Sequence, residues 1–309
     1  MEITKDEFGS YESVRESGVT NMFNVSVVSD LSGLSKEKIF FIMENYEGLE
    51  KKYDMDYYFY ENDSEDDTRE RLEQWLHTRH GSLISETLST QHYGPVPDAT
   101  RIHNFVKYRN TILTKAKPLK SDYTLLLDSD VSYNNRLIKD SLKYMTDDVA
   151  MVTPNILQNL KCEMCNCKKL SYYDSFALKD KTNQQGLTWS CNPFVEPNDR
   201  MKWKGGKPVE VNSAFGGAPL IKTSILNKPS VVWSVNHSQR GIKVANTKER
   251  VGCEHWDFCE YIREFGKILV VPSIKVSTIV NHNLTVNPAF IEQQKKIIKD
   301  PWYRLVANL

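Results

Sequence analysis

Two aspartates, Asp128 and Asp130, directly follow an apolar run at residues 125–127. Side chains of an extended chain repeat with a period of two, so both carboxylates can face the same way. Two like charges 4 Å apart repel by roughly 1 kcal/mol in water and about 4 kcal/mol at an effective dielectric of 20. A divalent cation relieves that repulsion, and oxygen ligands suit Mn²⁺ or Mg²⁺. The alternative is a strand-to-helix turn in which Asp130 helps to cap the next helix.

A second polar cluster occupies residues 60–68, after a run of aromatic residues that predicts a strand. Its short side chains, Asn62 and Asp63 among them, can hydrogen-bond a nucleoside base and ribose from the carboxyl edge of a sheet. The alternative is an acidic turn followed by a helix cap.

Two further acidic residues, Glu254 and Asp257, stand at the start of a predicted helix, where the helix dipole favours anions. They are three residues apart and can share one helical face, although simple capping also explains them. The consecutive glycines Gly216 and Gly217 allow a close backbone approach and positive φ angles. A β-bulge is the alternative reading of that pair.

Four cysteines match a structural zinc site in number: Cys162, Cys165, Cys167 and Cys191. Their spacing is imperfect, and free thiols in a long loop are the favoured interpretation. The same region contains Trp189 and Trp203, which can stack on a sugar or anchor the loop by burial.

The elements that must position these residues alternate between strand and helix over the first half of the chain. Strands are predicted at 23–30, 55–63, 123–130 and 149–156, and helices at 35–53, 67–81, 99–117 and 134–145. This alternation predicts an α/β fold with a mostly parallel sheet and helices on both faces. The second half predicts a smaller β region, with a strand over 211–226, a helix over 253–266, a strand over 267–282 and a terminal helix over 288–299.

The domain prediction is a polar extension at 1–22, ordered only if something docks it, and a single domain at 23–309. An irregular insert spans 160–210 of that domain. Lys+Arg and Asp+Glu are 40 each, so the net charge of zero argues against a nucleic-acid partner. Apolar stretches of about five residues are far shorter than the roughly 20 that span a bilayer. With a polar N-terminus, this favours a cytoplasmic protein with no membrane span.

Five motifs in order resemble those of GT-A glycosyltransferases. They are residues 60–68, Arg109-Asn110, residues 123–130, residues 211–222, and residues 253–266 with 270–276. More narrowly, the chain is similar to cytosolic bacterial and viral-type enzymes related to the fungal capsule and Anp1-type mannosyltransferases. The resemblance covers roughly 23–285, with 160–210 poorly matched.

The resemblance implies a metal-dependent transfer of a sugar from a nucleotide-diphosphate donor to a glycan or another lipid- or protein-linked acceptor hydroxyl. Asn62 and Asp63 fall where such enzymes contact the nucleoside, and Arg109 where they hold the nucleotide or sugar. Asp128 and Asp130 match the metal motif, with Asp130 as the direct ligand and Asp128 nearer the ribose or sugar of the donor. Residues 214–217, including Gly216 and Gly217, line the donor-sugar and acceptor pocket.

The resemblance also implies that Glu254 or Asp257 takes the proton from the acceptor hydroxyl. His282, after the last predicted strand, matches a third metal ligand, and His255 competes for that role. The donor remains open between GDP-mannose and UDP-sugars, and so do the stereochemistry, the acceptor and the oligomeric state.

Two other functions compete with this one. A sugar-1-phosphate nucleotidyltransferase also uses a nucleotide-binding α/β fold, but it needs a glycine-rich loop where residues 27–38 contain one glycine. A non-catalytic, zinc-stabilised interaction module is the third candidate. The intact pairs Asp128/Asp130 and Glu254/Asp257 argue against it.

Overall fold

The computed structural model describes residues 1–53, 55–77, 79–90, 98–161, 170–187, 190–235, 237–243 and 250–278. The chain divides into two compact units, Met1–His92 and Tyr93–Leu309. Their boundary falls inside the range 23–309 that the sequence predicts as one domain, and that single domain stays a prediction.

The first unit begins with four helices: α1 (Lys5–Ser17), α2 (Val25–Ser32), α3 (Lys36–Glu44) and α4 (Tyr46–Tyr53). Thr4 and Glu7 form a capping box at the start of α1. The helices share a core that contains Ile3, Phe8, Tyr11, Val14, Val28, Leu34, Ile39, Ile42 and Leu49.

The structure gives two findings on the first 30 residues. The segment predicted as a polar extension, 1–22, is ordered by packing, because Phe8, Tyr11 and Val14 recur at helical spacing and bury one face of α1. Residues 25–32 form a helix rather than a strand. A short run of β-branched residues suits both states, and here Val28 is buried and Gly33 ends the helix in the left-handed conformation.

The rest of this unit is a β-α-β arrangement of β1 (Asp56–Asn62), α5 (Thr68–Leu76) and β2 (His80–Glu86), with the two strands parallel. Trp75 of α5 packs edge-on against Tyr57 and Phe59 of β1, with ring centroids 4.5 and 5.4 Å away. The predicted strand and helix are confirmed here. The helix ends before Gly81, however, which lies within β2.

The second unit contains the remaining elements. These are α6 (Ala99–Ala116), β3 (Tyr123–Leu125), β4 (Val131–Ser132), α7 (Leu137–Leu142), β5 (Val149–Lys161), β6 (Leu170–Tyr172), α8 (Pro197–Lys204), β7 (Val209–Val211), β8 (Leu220–Lys222), α9 (Thr223–Leu226), β9 (His237–Lys243), β10 (Arg250–Val251), α10 (Glu254–Arg263) and β11 (Lys267–Thr278).

The main sheet of this unit has the strand order β3-β8-β5-β11-β4, with β6 paired to β5 and β7 paired to β11. Only β5 and β11 pair in parallel within it, and its other pairings are antiparallel. The α/β class is therefore confirmed, but the sheet is mixed rather than mostly parallel. One reason is that residues 211–226 do not form one strand: β7 ends at Val211, and β8 begins only at Leu220.

Trp203 of α8 is buried and packs edge-on against Tyr172 and Phe194. Its indole N–H donates to the carbonyl of Cys191 at 3.0 Å. Trp203 thus anchors the irregular segment, as one of the two sequence interpretations predicted. Trp189, the other three cysteines of the predicted zinc set and His282 lie outside the described residues. Among the helices that the structure describes, none has the length and apolarity to cross a membrane.

Candidate active site

The end of β3 is held against the loop that precedes β8. The backbone N–H of Leu126 donates to the carbonyl of Pro219 at 3.0 Å, and that of Asp128 donates to the carbonyl of Gly217 at 2.8 Å. The carbonyl of Asp128 then accepts from Val131 at 3.3 Å, which closes a turn. Asp130 therefore lies in a turn after the strand, and not in extended chain as the period-two argument assumed.

The two glycines opposite Asp128 are required by both conformation and space. Gly216 and Gly217 have φ angles of 65° and 69°, which side chains with a Cβ rarely adopt. A Cβ on Gly216 would meet the carbonyl oxygen of Pro154 at 2.8 Å. A Cβ on Gly217 would meet Cγ2 of Val131 at 2.6 Å and lie 3.8 Å from Oδ2 of Asp128. The backbone at Gly217 therefore lies directly beside the Asp128 carboxylate.

Arg109 of α6 places a positive charge beside the Asp128 carboxylate. Its Nη2 donates to Oδ1 of Asp128 at 2.8 Å, and its guanidinium lies 4.7 Å from the ring centroid of Phe215. Burial lowers the pKa of Arg109, but the charges of Asp128 and Glu254 outweigh burial and raise it. The Nε atom is buried and has no hydrogen-bond partner among the described residues.

Asp174, which follows β6, is a functional candidate that the sequence did not reveal. Its Oδ2 accepts the backbone N–H of Gly216 at 2.7 Å. Burial, and after it the charges of Asp128 and Glu254, raise the pKa of Asp174 to about 7 against the lowering effect of the hydrogen bond from Gly216. No motif identifies this aspartate, because it lies alone in the irregular segment.

The pKa of the neighbouring Tyr173 is affected by several carboxylates of this region. Burial raises the pKa of its hydroxyl first, and the carboxylates of Asp130, Asp174 and Asp128 add to that effect. The structure therefore brings both aspartates of the 128–130 motif into the electrostatic surroundings of Asp174. A cation that binds among these carboxylates would lower their mutual repulsion.

Glu254 is the first residue of α10 and is buried, with 6% of its surface exposed. Burial raises the pKa of its carboxyl, Arg109 lowers it, and Asp128 raises it again. The Sγ of Cys253 donates to Oε2 at 3.5 Å, and Nε2 of His255 lies 3.4 Å from Oε1. This carboxylate thus belongs to the same charged group as Arg109 and Asp128.

His255 is buried and contacts the aromatic side chains of Phe215 and Trp233. Its ring stacks on Phe215 with 3.9 Å between centroids, and its Nδ1 lies 3.4 Å from the indole nitrogen of Trp233. Burial lowers the pKa of His255 well below its usual value, and Arg109 lowers it further. One ligand atom each from Cys253, Glu254 and His255 lies within 4.8 Å of the others, which is close enough for a metal ion.

Asp257 lies about one turn along α10 from Glu254, and its carboxylate accepts a hydrogen bond from the hydroxyl of Ser234. Asn62 and Asp63 belong to the other unit. Both oxygens of Asp63 accept backbone N–H bonds from residues 88–90, and Asn62 donates to Oγ1 of Thr90 at 3.3 Å. In this structure the pair holds the loop that follows β2.

Comparison with known proteins adds three findings. A model of the family described as Cryptococcal mannosyltransferase 1 matches residues 58–260, a range that contains the candidate site residues described in this subsection but not His282. No curated protein matches the chain.

The solved structures that resemble the chain include GalNAc-T7 with UDP, GalNAc and Mn²⁺, at 13% identity and a TM-score of 0.40. TarS 1–349 from S. aureus resembles it at 15% identity and a TM-score of 0.37. The matches cover 77% and 71% of this chain, but only 40% and 49% of those two structures.

The family match covers well over half of the chain and confirms the resemblance that the order of motifs predicted. The chain belongs to the family described as Cryptococcal mannosyltransferase 1.

Proposed function

We propose that the protein transfers a sugar from a nucleotide-diphosphate donor to an acceptor hydroxyl, and that Glu254 removes the proton from that hydroxyl. The observation that carries this proposal is the buried Glu254 carboxyl beside the Arg109–Asp128 pair. A carboxylate with a raised pKa is a stronger base than an exposed glutamate, because its pKa lies nearer to neutral pH. Transfer to a positioned hydroxyl needs such a group.

The donor site in this proposal lies around Asp128, Gly216 and Gly217. The glycines let a ligand approach the backbone closely, and Arg109 supplies a cation and a buried Nε that lacks a partner among the described residues. A diphosphate is an anion that a guanidinium binds well. Asn62 and Asp63 remain candidates for the nucleoside contact.

The metal in this proposal is Mn²⁺ or Mg²⁺, held by Asp128 and Asp130, with His282 as a further candidate ligand. The set of oxygen ligands fits such an ion, because the carboxylates of Asp128, Asp174 and Glu254 interact electrostatically with one another. Asp130 belongs to the same region, since it acts on the Tyr173 hydroxyl together with Asp128 and Asp174. Asp130 is the better direct ligand, since Oδ1 of Asp128 already accepts from Arg109. When bound, the ion would neutralise charge on the leaving diphosphate.

Glu254 is a better candidate for the base than Asp257. Glu254 interacts with Arg109, Asp128 and Asp174, whereas the carboxylate of Asp257 accepts from Ser234. We therefore assign proton removal to Glu254 and retain Asp257 as the alternative.

The family description favours GDP-mannose as the first donor to test, with UDP-sugars next. The acceptor in this proposal is a hydroxyl of a glycan or of a lipid- or protein-linked sugar. A cytoplasmic location and the structural zinc site remain predictions from the sequence.

The first test is thermal unfolding with GDP-mannose and a panel of UDP-sugars, with and without Mn²⁺. A ligand at about 100 times its Kd adds about 2.7 kcal/mol to the free energy of unfolding. We expect one sugar nucleotide to raise the melting temperature only with Mn²⁺, and Asp130→Ala to abolish that rise. Asp147→Ala, at an exposed aspartate outside the motif, is the control. The proposal would be contradicted if no sugar nucleotide raised the melting temperature. If a zinc chelator then lowered the melting temperature of the protein alone, the zinc-stabilised interaction module would be favoured.

The second test separates the two candidate bases by donor hydrolysis and transfer. We expect Glu254→Gln to keep the donor-induced stabilisation and to lower the rate roughly 10²- to 10⁴-fold. Asp257→Asn is the matched control on the same helix. If Asp257→Asn shows that loss and Glu254→Gln does not, the base is Asp257. A nucleotidyltransferase would instead release pyrophosphate from a nucleoside triphosphate and a sugar 1-phosphate.

A further inference from the structure

We propose that Trp233 holds His255 in the neutral tautomer with its proton on Nε2, and that His255 thereby positions the Glu254 carboxylate. The positioning role rests on the proposed function of Glu254. The tautomer itself is a separate statement and is tested separately.

The tautomer follows from the chemistry of the indole group. The Nε1 of Trp233 lies 3.4 Å from Nδ1 of His255, in a buried hydrogen bond. An indole N–H is a donor only, so Nδ1 must be the acceptor and carry no proton. A neutral imidazole then has its single proton on Nε2.

Both the backbone and the ring of Trp233 are held in place. The backbone N–H of Trp233 donates to Oδ1 of Asn110 at 2.9 Å, and its carbonyl accepts from Nδ2 of Asn110 at 2.8 Å. Its ring stacks on Phe258 with 3.9 Å between centroids and 6° between planes. The imidazole is fixed in turn by its stacking on Phe215. The donor and the acceptor are therefore both rigid.

The consequence for Glu254 is that each of its oxygens faces one donor. The Nε2–H of His255 lies 3.4 Å from Oε1, and the Sγ of Cys253 lies 3.5 Å from Oε2. Donors of this kind favour the ionised carboxylate and define its orientation. A general base must be ionised before it accepts a proton and must face the acceptor hydroxyl, so Glu254 benefits from both its ionised state and its fixed orientation.

The same tautomer argues against a metal ion on Cys253, Glu254 and His255. A metal on Nε2 would require the proton of the neutral ring to sit on Nδ1. Two N–H groups, those of Nδ1 and of the Trp233 indole, would then face each other. The close spacing of these three side chains is thus better explained by hydrogen bonding.

The experiment is ¹⁵N NMR of the full chain with labelled histidine, in which His255→Gln assigns the signal. We expect wild type to show a protonated Nε2 and an unprotonated Nδ1. Trp233→Phe keeps an aromatic ring that can stack on Phe258 but removes the N–H donor, and we expect a mixture of tautomers. Trp256→Phe is the matched control, because Trp256 is equally buried and its indole donates to the carbonyl of Phe176 instead. An imidazolium, a protonated Nδ1, or an unchanged spectrum in Trp233→Phe would overturn the proposal.

Metal addition and kinetics complete the test. Zn²⁺ or Mn²⁺ alone should leave the Nε2 signal protonated, and its loss on metal addition would establish a metal site instead. In transfer assays we expect Trp233→Phe to lower kcat on the order of tenfold with KM nearly unchanged, because misplacing a catalytic group costs rate. His255→Gln, which keeps an N–H near the Nε2 position, should retain more activity than His255→Asn. Equal losses in these two variants, or in Trp233→Phe and Trp256→Phe, would contradict the positioning role. If the protein shows no transfer activity, the NMR experiment still tests the tautomer of His255, independently of the proposed function.

Discussion

The guanidinium of Arg109 and the carboxylate of Asp128 form one ion pair, with 2.8 Å between Nη2 and Oδ1 and side-chain exposures of 20% and 29%. The pair joins the middle of α6 to the end of β3. Arg109 also acts on Glu254, because its positive charge lowers the pKa of the Glu254 carboxyl, whereas burial raises that pKa. The proposed metal site and the proposed base therefore share one arginine.

A double-mutant cycle on Arg109 and Asp128 tests this sharing. We expect Arg109→Met to lower the free energy of unfolding by roughly 1–3 kcal/mol, because it leaves carboxylates without compensation in a partly buried site. Asp128→Asn in the same chain should recover part of that loss, with a coupling energy of about 0.5–3 kcal/mol. The measurement is urea unfolding in the presence of a chelator. Additive effects would contradict the pairing, and the more exposed pair Lys143–Asp140 provides a control cycle with an expected coupling of only about 0.2–0.5 kcal/mol.

The carboxyl of Asp174 predicts a pH dependence of stability. Its pKa is raised from 3.8 to about 7 in the folded chain, so the folded state binds the proton more tightly than the unfolded state. The free energy of unfolding should therefore fall as pH rises from about 4 to about 7, by up to about 1.4 kcal/mol per pH unit. Asp174→Asn removes this contribution, and its stability relative to wild type should increase over that range.

The check on this second prediction is urea unfolding of both proteins with a chelator at pH values from about 4.5 to about 8. A difference between them that is constant with pH would show that Asp174 stays ionised in the fold. Wild type at high pH should also regain stability with Mn²⁺, because a cation offsets the charge of the ionised carboxyl.

Gly217 and Gly206 allow the effect of space to be separated from the effect of conformation. Both have positive φ, 69° and 71°, but a Cβ on Gly206 would meet nothing within 4 Å. Gly206→Ala should therefore cost only the conformational penalty of about 1–2 kcal/mol. Gly217→Ala adds a clash with Val131, for roughly 2–5 kcal/mol in total, and should also weaken donor binding. Thermal unfolding with and without donor measures both, and equal losses in the two variants would contradict the steric argument.

Most of the elements could be predicted from the sequence because their periodicity is strong. The helix α10 and the strands β5 and β11 bury long apolar faces, and their burial patterns repeat the sequence patterns. In α6 the pattern predicted the helix, although only Ile102 and Leu113 of the predicted apolar face are buried. The failures are segments whose local pattern suits more than one state, such as 25–32, or in which several short elements were predicted as one strand, such as 211–226. Val25–Ser32 forms a helix because packing against α1 and α3, and not its β-branched residues, decides its state.

The candidate site was only partly predictable. Asp128, Arg109, Glu254 and the two glycines lie in recognisable motifs, and the structure brings them together. Asp174 could not be found, because its role depends on burial and on a hydrogen bond to Gly216, which is distant in sequence. The link from Trp233 to His255 is equally invisible, since 22 residues separate the two side chains.

The last prediction concerns Asp63, which the sequence assigns to nucleoside binding. Its oxygens accept the backbone N–H groups of Leu88, Ser89 and Thr90 at 2.7, 2.8 and 3.1 Å. Hydrogen bonds from Thr90, Asn62 and the loop outweigh burial and lower the pKa of Asp63 well below its usual value. The carboxylate should therefore stabilise the fold above about pH 4, and this contribution should be lost as pH falls further.

Asp63→Asn separates the charge from the backbone conformation, because Asn tolerates the positive φ of 57° found here. We expect faster hydrogen exchange of the amides at 88–90 in Asp63→Asn and a melting temperature that no longer falls as steeply below about pH 4. Glu65→Ala, an exposed acidic residue of the same turn, should change neither. If Asp63→Asn leaves the exchange unchanged but abolishes stabilisation by the donor, the carboxylate binds the nucleoside and does not hold the loop. Loss of both would mean that the loop at 88–90 must be ordered before the donor can bind.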